Sequence, residues 1–193
     1  AMIDVATSGP AVELAKLQAK AMGLPLVLQE TEGEKEVELK DLRQALVRAK
    51  RKYKIEGIVT GALYSTYQRD RLEEVADGLG LKIFSPLWHK PQEQEMLELL
   101  ANGYEIVFTA VAAEGLDKSW LNHRITKEDV EKLKKLRDKV GMNVAGEGGE
   151  FESLVLDCPL FKKRLVLEKV EIKEDGKHAA RLLVKKAKLV GKN

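Results

Sequence analysis

Gly146-Glu147-Gly148-Gly149-Glu150-Phe151-Glu152 sets three glycines and three carboxylates within seven residues. Glycines this close together imply a backbone that takes positive φ or approaches another group closely. Carboxylates at that density repel one another unless a metal, an ammonium or a base separates them, or one is held protonated. The functional reading is a cation- or amine-handling loop with Glu147 and Glu150 pointing inward. The bland alternative is an acidic surface loop, which needs neither feature.

Three other segments carry weaker signals. Thr60-Gly61-Ala62-Leu63 closes an apolar run, and Tyr64-Ser65-Thr66-Tyr67-Gln68 follows it. Gly61 is either a point of close backbone approach by a ligand or an ordinary strand glycine. Ser65 or Thr66 caps the next helix, whose N-terminus favours anions. Ser85-Pro86-Leu87-Trp88-His89 places a tryptophan in a loop, as a lid over an apolar gap or as a stacking platform. His89 has no second histidine at metal-ligand spacing, and no metal site is expected. Glu114, Asp117 and Trp120 lie in an irregular stretch; Trp120 and Leu121 are alternatively a plug between two parts of the chain.

The elements that must position these groups are legible as periodicities. Apolar spacing predicts helices over Val12–Met22, Glu34–Tyr53, Gln68–Leu79, Gln92–Leu100 and Thr126–Val140. Short apolar runs predict strands at Pro25–Gln29, Ile58–Leu63, Leu81–Phe84 and Glu105–Val111, the second buried on both faces. Their alternation predicts βαβ units, a mainly parallel sheet and helices on both of its faces. Thr126 with Asp129 is a helix-capping pair. Lys163–Ile172 and Arg181–Leu189, joined at Glu174–Lys177, read as an antiparallel pair. The division is therefore placed at Val111, with a βα-repeat part at 1–111 and a smaller α+β part at 112–193.

The 193 residues carry 33 basic and 31 acidic side chains, with lysine and glutamate interleaved along the chain. A duplex nucleic-acid partner would call for a concentrated basic stripe; none is expected, and Lys50–Lys54 reads as a solvated helix end. Charge makes up 33% of the chain, a balance that hints at a thermophile. With Cys158 the single cysteine, neither an internal disulfide nor a cysteine-based zinc site can form. No apolar run approaches the ~18–20 residues that span a bilayer, and no signal peptide is visible. The expected compartment is the cytoplasm, with no membrane partner.

Gly61–Arg71 (G-A-L-Y-S-T-Y-Q-R-D-R), Ser85–Trp88 (S-P-L-W), Glu114–Leu121 (E-G-L-D-K-S-W-L) and Gly146–Ser153 (G-E-G-G-E-F-E-S) together resemble the diphthine–ammonia ligases, or diphthamide synthetases, of the PP-loop ATP pyrophosphatase group. Leu17–Val27 and Val155–Lys162 fit as well, so the resemblance covers nearly the whole chain. The archaeal members are closest in character. The resemblance implies a HUP/Rossmann-like, mainly parallel sheet followed by a smaller α+β domain. It implies ATP-dependent amidation of diphthine on elongation factor 2, with ammonium as the nitrogen source and ATP and Mg2+ as cofactors. The carboxylate is activated as an adenylate, and ammonia displaces AMP. Thr60, Gly61 and Ala62 then border the nucleotide, and Glu147 and Glu150 become catalytic candidates. Gly146, Gly148, Gly149, Ser65, Tyr67, Gln68, Trp88, Glu114 and Asp117 become substrate-binding candidates.

Family members also begin with a strand and an S-G-G-K-D-S loop that holds ATP phosphates, and this sequence contains no such motif. Thr7-Ser8-Gly9-Pro10 does not replace it, because proline removes an amide donor and no lysine is present. The reading is an N-terminally truncated chain that binds ATP weakly or not at all and is inactive alone. A gap is expected between the strands at Pro25–Gln29 and Ile58–Leu63, repaired by homodimerisation, domain swapping or a neighbouring polypeptide. The alternatives are a non-catalytic binding module for elongation factor 2 or a small amine, and a PP-loop relative acting on another carboxylate or on a nucleotide.

Overall fold

The computed structural model describes residues 1–6, 10–31, 35–61 and 66–192; the side chains of 6, 10, 11, 35–38 and 66–68 also lie outside what is described. The chain divides into two compact units, Ala1–His89 and Lys90–Asn193.

In the first unit, β1 (Met2–Ala6), α1 (Pro10–Met22), β2 (Leu26–Glu30), α2 (Lys35–Tyr53), β3 (Gly57–Val59), α3 (Thr66–Asp77) and β4 (Lys82–Phe84) alternate. α1 stops at Gly23, whose φ of 71° lets the amide of Leu24 reach back to the carbonyl of Ala19 at 2.9 Å. Along α2, Leu46 is buried together with Ala45 and Ala49, the helical spacing read from the sequence. The alanines bring α2 close to the strands: Ala45 and Ala49 pack on Val27, while Leu46 packs with Ala76 and Leu81.

The strands form two pairs. β1 and β2 are parallel, with Met2 opposite Leu26 and Ala6 opposite Glu30. β3 and β4 are parallel, with Val59 opposite Phe84. Among the described residues neither pair is hydrogen-bonded to the other. A cleft of about 580 Å³ is lined on one side by Met2, Ile3 and Val5 of β1 and on the other by Gly57, Ile58 and Val59 of β3. The gap expected beside the strand at Pro25–Gln29 is instead occupied by β1, which pairs with β2, and the cleft lies between β1 and β3. Two expectations need correction. β3 is not buried on both faces, since Val59 is 73% and Phe84 64% exposed. It also ends at Val59, so Gly61 lies beyond the strand.

The second unit holds α4 (Gln92–Ala101), β5 (Glu105–Ala112), a single helical turn at Lys118–Trp120, α5 (Lys127–Val140), β6 (Phe151–Asp157), β7 (Lys163–Gly176) and β8 (Ala179–Gly191). The sheet runs β6-β5-β8-β7, and every neighbouring pair is antiparallel. The β7–β8 hairpin is the antiparallel pair read from the sequence. β5 is the correction: its uninterrupted apolar run suits a strand between two others in any sheet, and here both neighbours are antiparallel. It belongs with β6 and β8, so the chain divides at His89/Lys90 and not at Val111.

Helices and sheet share a core in this unit. Phe108 and Val111 of β5, Met96 of α4, Val130 and Leu133 of α5, and Phe151 of β6 are buried together. Thr126 caps α5 as expected, and the Asp129 side chain returns the bond to the Thr126 amide at 3.0 Å. Asp129 is itself buried and is also bonded by His123 Nε2 at 2.7 Å and Lys132 at 2.8 Å. Burial alone would raise its pKa, but the hydrogen bonds from Lys132, His123 and Thr126 outweigh it and hold the carboxyl far below its ordinary value. No helix among the described residues is long and apolar enough to cross a membrane.

Candidate functional site

α5 ends at Gly141, whose φ of 76° closes the helix in the left-handed region. Met142 and Val144 then anchor the chain in the core, and the loop Ala145–Glu150 leads into β6. Two turns build it: the Gly146 amide donates to the Asn143 carbonyl at 3.1 Å and the Gly149 amide to the Gly146 carbonyl at 3.0 Å. Gly146 has φ 78° and Gly149 φ 84°. A Cβ on Gly146 would stand 2.9 Å from the Phe151 ring, so the loop lies directly on that aromatic. Phe151 in turn stacks on Phe108, with centroids 3.9 Å apart.

Glu150 organises this loop. Its carboxylate accepts from the Asn143 amide at 2.7 Å, from Asn143 Nδ2 at 2.8 Å and from the Gly148 amide at 2.8 Å. Its carbonyl accepts the Ala112 amide at 2.8 Å, which fastens the loop to the end of β5. Burial pushes the Glu150 carboxyl up, but the Asn143 and Gly148 donors win and hold it below its ordinary value. Gly148 is required by closeness, because a Cβ there would sit 2.7 Å from Glu150 Oε1. Glu147, by contrast, is exposed. The two carboxylates expected to share a role are therefore in different states: one is consumed by the fold, the other presented.

α4 holds the loop from a second side. Gln92 Nε2 donates to Asn143 Oδ1 at 3.1 Å, and Gln92 Oε1 accepts the Ala145 amide at 2.9 Å. Glu95, one turn further and on the same helix face, is only 9% exposed. Burial first, and then the Glu147 charge, raise its pKa. Its Oε2 is buried without a hydrogen-bond partner. Sequence reasoning missed both residues. The available signal was a polar side chain on the stripe of α4 that continues inward through Met96.

The remaining candidates fall in two places. Asp117 caps the short turn, accepting from the Ser119 amide at 2.8 Å and Ser119 Oγ at 2.5 Å; these bonds hold its pKa below the ordinary value. Glu114 is exposed. Trp120 and Leu121 pack into the core of the second unit. In the first unit, Thr60 and Gly61 line the β1–β3 cleft. The Thr60 amide is committed to the Phe84 carbonyl at 3.0 Å, and among the described residues a Cβ on Gly61 would meet nothing within 4 Å. Ala62 and Ser65 lie outside the described residues, as do the side chains of Tyr67 and Gln68. The Trp88 ring already has company: the Arg69 guanidinium is 4.5 Å from its centroid and the His89 ring 4.8 Å. Among the described residues no group of three metal-ligating side chains occurs.

These features define a two-unit α/β protein with a glycine-rich carboxylate loop built onto an antiparallel sheet. The sequence profile of the diphthamide synthase C-terminal domain matches residues 92–190, just over half of the chain. That of the diphthamide synthase N-terminal domain matches residues 5–83. The chain belongs to the diphthamide synthase family. It is 38% identical over 169 residues to the diphthine–ammonia ligase of Mus musculus, covering 80% of this chain and 62% of that protein. The diphthine–ammonia ligase of Homo sapiens is 36% identical over 170 residues, covering 81% and 62%. That of Schizosaccharomyces pombe is 46% identical over 120 residues, covering 62% of this chain and 20% of its own length. The chain thus spans less than two thirds of the length of these relatives.

Proposed function

We propose that this chain serves the amidation of the diphthine carboxylate on elongation factor 2 to diphthamide. The observation that carries the reading is the loop at Gly146–Glu150, where Glu150 is spent on holding the backbone and Glu147 is left exposed beside it. The relatives' name, diphthine–ammonia ligase, supplies the two reactants. Ammonium must lose a proton before its nitrogen can attack a carbonyl carbon, and a presented carboxylate is suited to hold the cation and take that proton. Glu147 is assigned this role, with Glu150 and the three glycines as the frame. Glu114, Asp117, Trp88, Ser65, Tyr67 and Gln68 are assigned to substrate contacts.

Activation of the carboxylate by ATP and Mg2+ is the part that the resemblance supplies. Thr60 and Gly61 bring no cationic side chain, and the Thr60 amide is already bonded, so no phosphate contact is derived for them. The cleft, whose β1 and β3 edges take no further strand among the described residues, supports the further reading that this chain alone does not turn over and that an added strand is needed there. The test is diphthine amidation by the chain as it stands and by the chain extended with an N-terminal segment carrying S-G-G-K-D-S. Activity only in the extended form, lost at least tenfold in Glu147→Gln, is the expected result. Full activity in that variant would refute the assignment of Glu147.

A further inference from the structure

Glu95 combines two properties that are costly together. It is nine-tenths buried, and one of its carboxyl oxygens has no hydrogen-bond partner. A buried acceptor left unsatisfied carries its full desolvation penalty, and a structural role would have supplied a donor. Gln92 is bonded to Asn143 and Ala145, and Lys90, paired with Glu98, acts on Glu95 through its charge but makes no hydrogen bond to Oε2. Gln92 and Glu95 stand three residues apart on one face of α4, and Gln92 fixes that face against the loop carrying Glu147.

We propose that Glu95 and Glu147 form the seat for ammonium, with Glu95 Oε2 accepting an N–H from the buried side and Glu147 closing over the ion from the loop. The choice of ion rests on the ligase reading; the choice of site does not. A small monocation with N–H donors satisfies the orphaned oxygen and separates the two carboxylates in one step. The trimethylammonium group of diphthine has no N–H and would leave Oε2 unsatisfied. A divalent metal would want more ligands than are present, since no group of three His, Cys, Asp or Glu side chains is assembled among the described residues. Burial and then the Glu147 charge raise the pKa of Glu95 even against the nearby Lys90 charge, which fits a carboxyl that is relieved when a further cation enters.

The test needs neither ATP nor elongation factor 2. The chain is titrated with ammonium chloride, sodium chloride and tetramethylammonium chloride at matched ionic strength, following the amide resonances of Ala145–Glu150. A saturable shift with ammonium alone is expected, weakened at least tenfold in Glu95→Gln and several-fold in Glu147→Gln. Glu147 is exposed, so its variant reports on binding without threatening the fold, and thermal unfolding checks that Glu95→Gln remains folded. The proposal falls if no ammonium-specific saturation occurs, if tetramethylammonium matches ammonium, or if folded Glu95→Gln binds as the parent does. In the amidation assay of the extended chain, an unchanged KM for ammonium in Glu95→Gln would sink this seat while leaving the ligase reading intact. Failure of amidation with ammonium binding preserved would do the reverse.

Discussion

The two units use similar helices to opposite effect. In the second, a four-stranded sheet and two helices close a large core cluster around Phe108, Leu133 and Phe151. In the first, three-residue strands β3 and β4 pair, among the described residues, only with each other, and Val59 and Phe84 are exposed to solvent. Its buried contacts form separate small clusters, largely around alanines. The second unit gathers its strands into one four-stranded sheet, while the first splits its strands into two pairs and presents a face that its described residues do not cover. Local amphipathicity was thus sufficient to specify helices in both, whereas completion of a sheet depends on partners distant in sequence.

The largest test of that contrast removes the ring at the centre of the second unit. Phe108 is fully buried and stacked on Phe151, so Phe108→Ala is expected to cost about 3–5 kcal/mol. Urea unfolding followed at β5 amides should lose that stability, while the β3 amides should barely respond. In the parent chain, hydrogen exchange at β3 is expected to be faster than at β5, because local opening is easiest where buried contacts are few. Equal protection of β3 and β5 would remove the contrast.

A second test separates two carboxylates three residues apart. Glu150→Ala strands three donors from Asn143 and Gly148, so a loss of about 1–3 kcal/mol is expected. Glu147→Gln, at an exposed position, should stay within about 0.5 kcal/mol of the parent. Chemical denaturation of both variants decides this. If Glu147→Gln proved the more destabilising, the division between framing and presented carboxylate would be reversed.

Acid titration sharpens the same unit, because two of its buried carboxyls pull in opposite directions. The pKa of Asp129 is depressed in the fold, so its stabilisation is complete above the unfolded value of about 3.9 and is lost as pH falls below it. The pKa of Glu95 is raised, so its contribution is complete below the unfolded value of about 4.3 and is lost as pH rises through the folded value. Asp129→Asn should flatten the acid limb of stability against pH and cost about 1–2 kcal/mol at neutral pH. Glu95→Gln should remove the decline on the other side. Thermal midpoints across that range measure both slopes, and a steeper acid limb in Asp129→Asn would contradict the assignment.

What was legible in the sequence follows the same division. All five helices were found within a few residues, and Thr126 with Asp129 was read correctly as a cap, because helix periodicity and capping are local. β1 was missed because Met2–Ala6 is short and carries Asp4, a residue that burial penalises even in the folded chain. β6 is not predicted because Phe151–Asp157 begins inside the glycine-rich run, whose glycines and carboxylates read as loop. β5 was recognised as a strand but assigned to a parallel sheet, since an all-apolar run does not say which neighbours bury it. In the candidate site, three glycines announced a special backbone, and two of them have positive φ. Which glutamate faced inward was not readable: the Asn143 bonds that capture Glu150 depend on a turn that residue types alone do not specify. Glu95 is not distinguishable by type from Glu93 and Glu98, the half-buried carboxylates of the same helix.

The smallest expected effect concerns the uncovered face of the first unit. Val59 and Phe84 sit opposite each other in the β3–β4 pair, both well over half exposed, so they contribute little burial to the chain by itself. Val59→Thr and Phe84→Ser should each change its stability by less than about 0.5 kcal/mol. The same substitutions should matter more in a chain extended at its N-terminus, if the added segment packs across this face: a side chain such as Phe84 would then bury area worth about 1.5–3 kcal/mol. Denaturation of the four proteins, parent and Phe84→Ser, each with and without the extension, forms a cycle whose coupling term measures that contact directly. A coupling near zero would mean that the added segment leaves this face bare. Any added strand would then lie at the β1 and β3 edges, and not across the sheet.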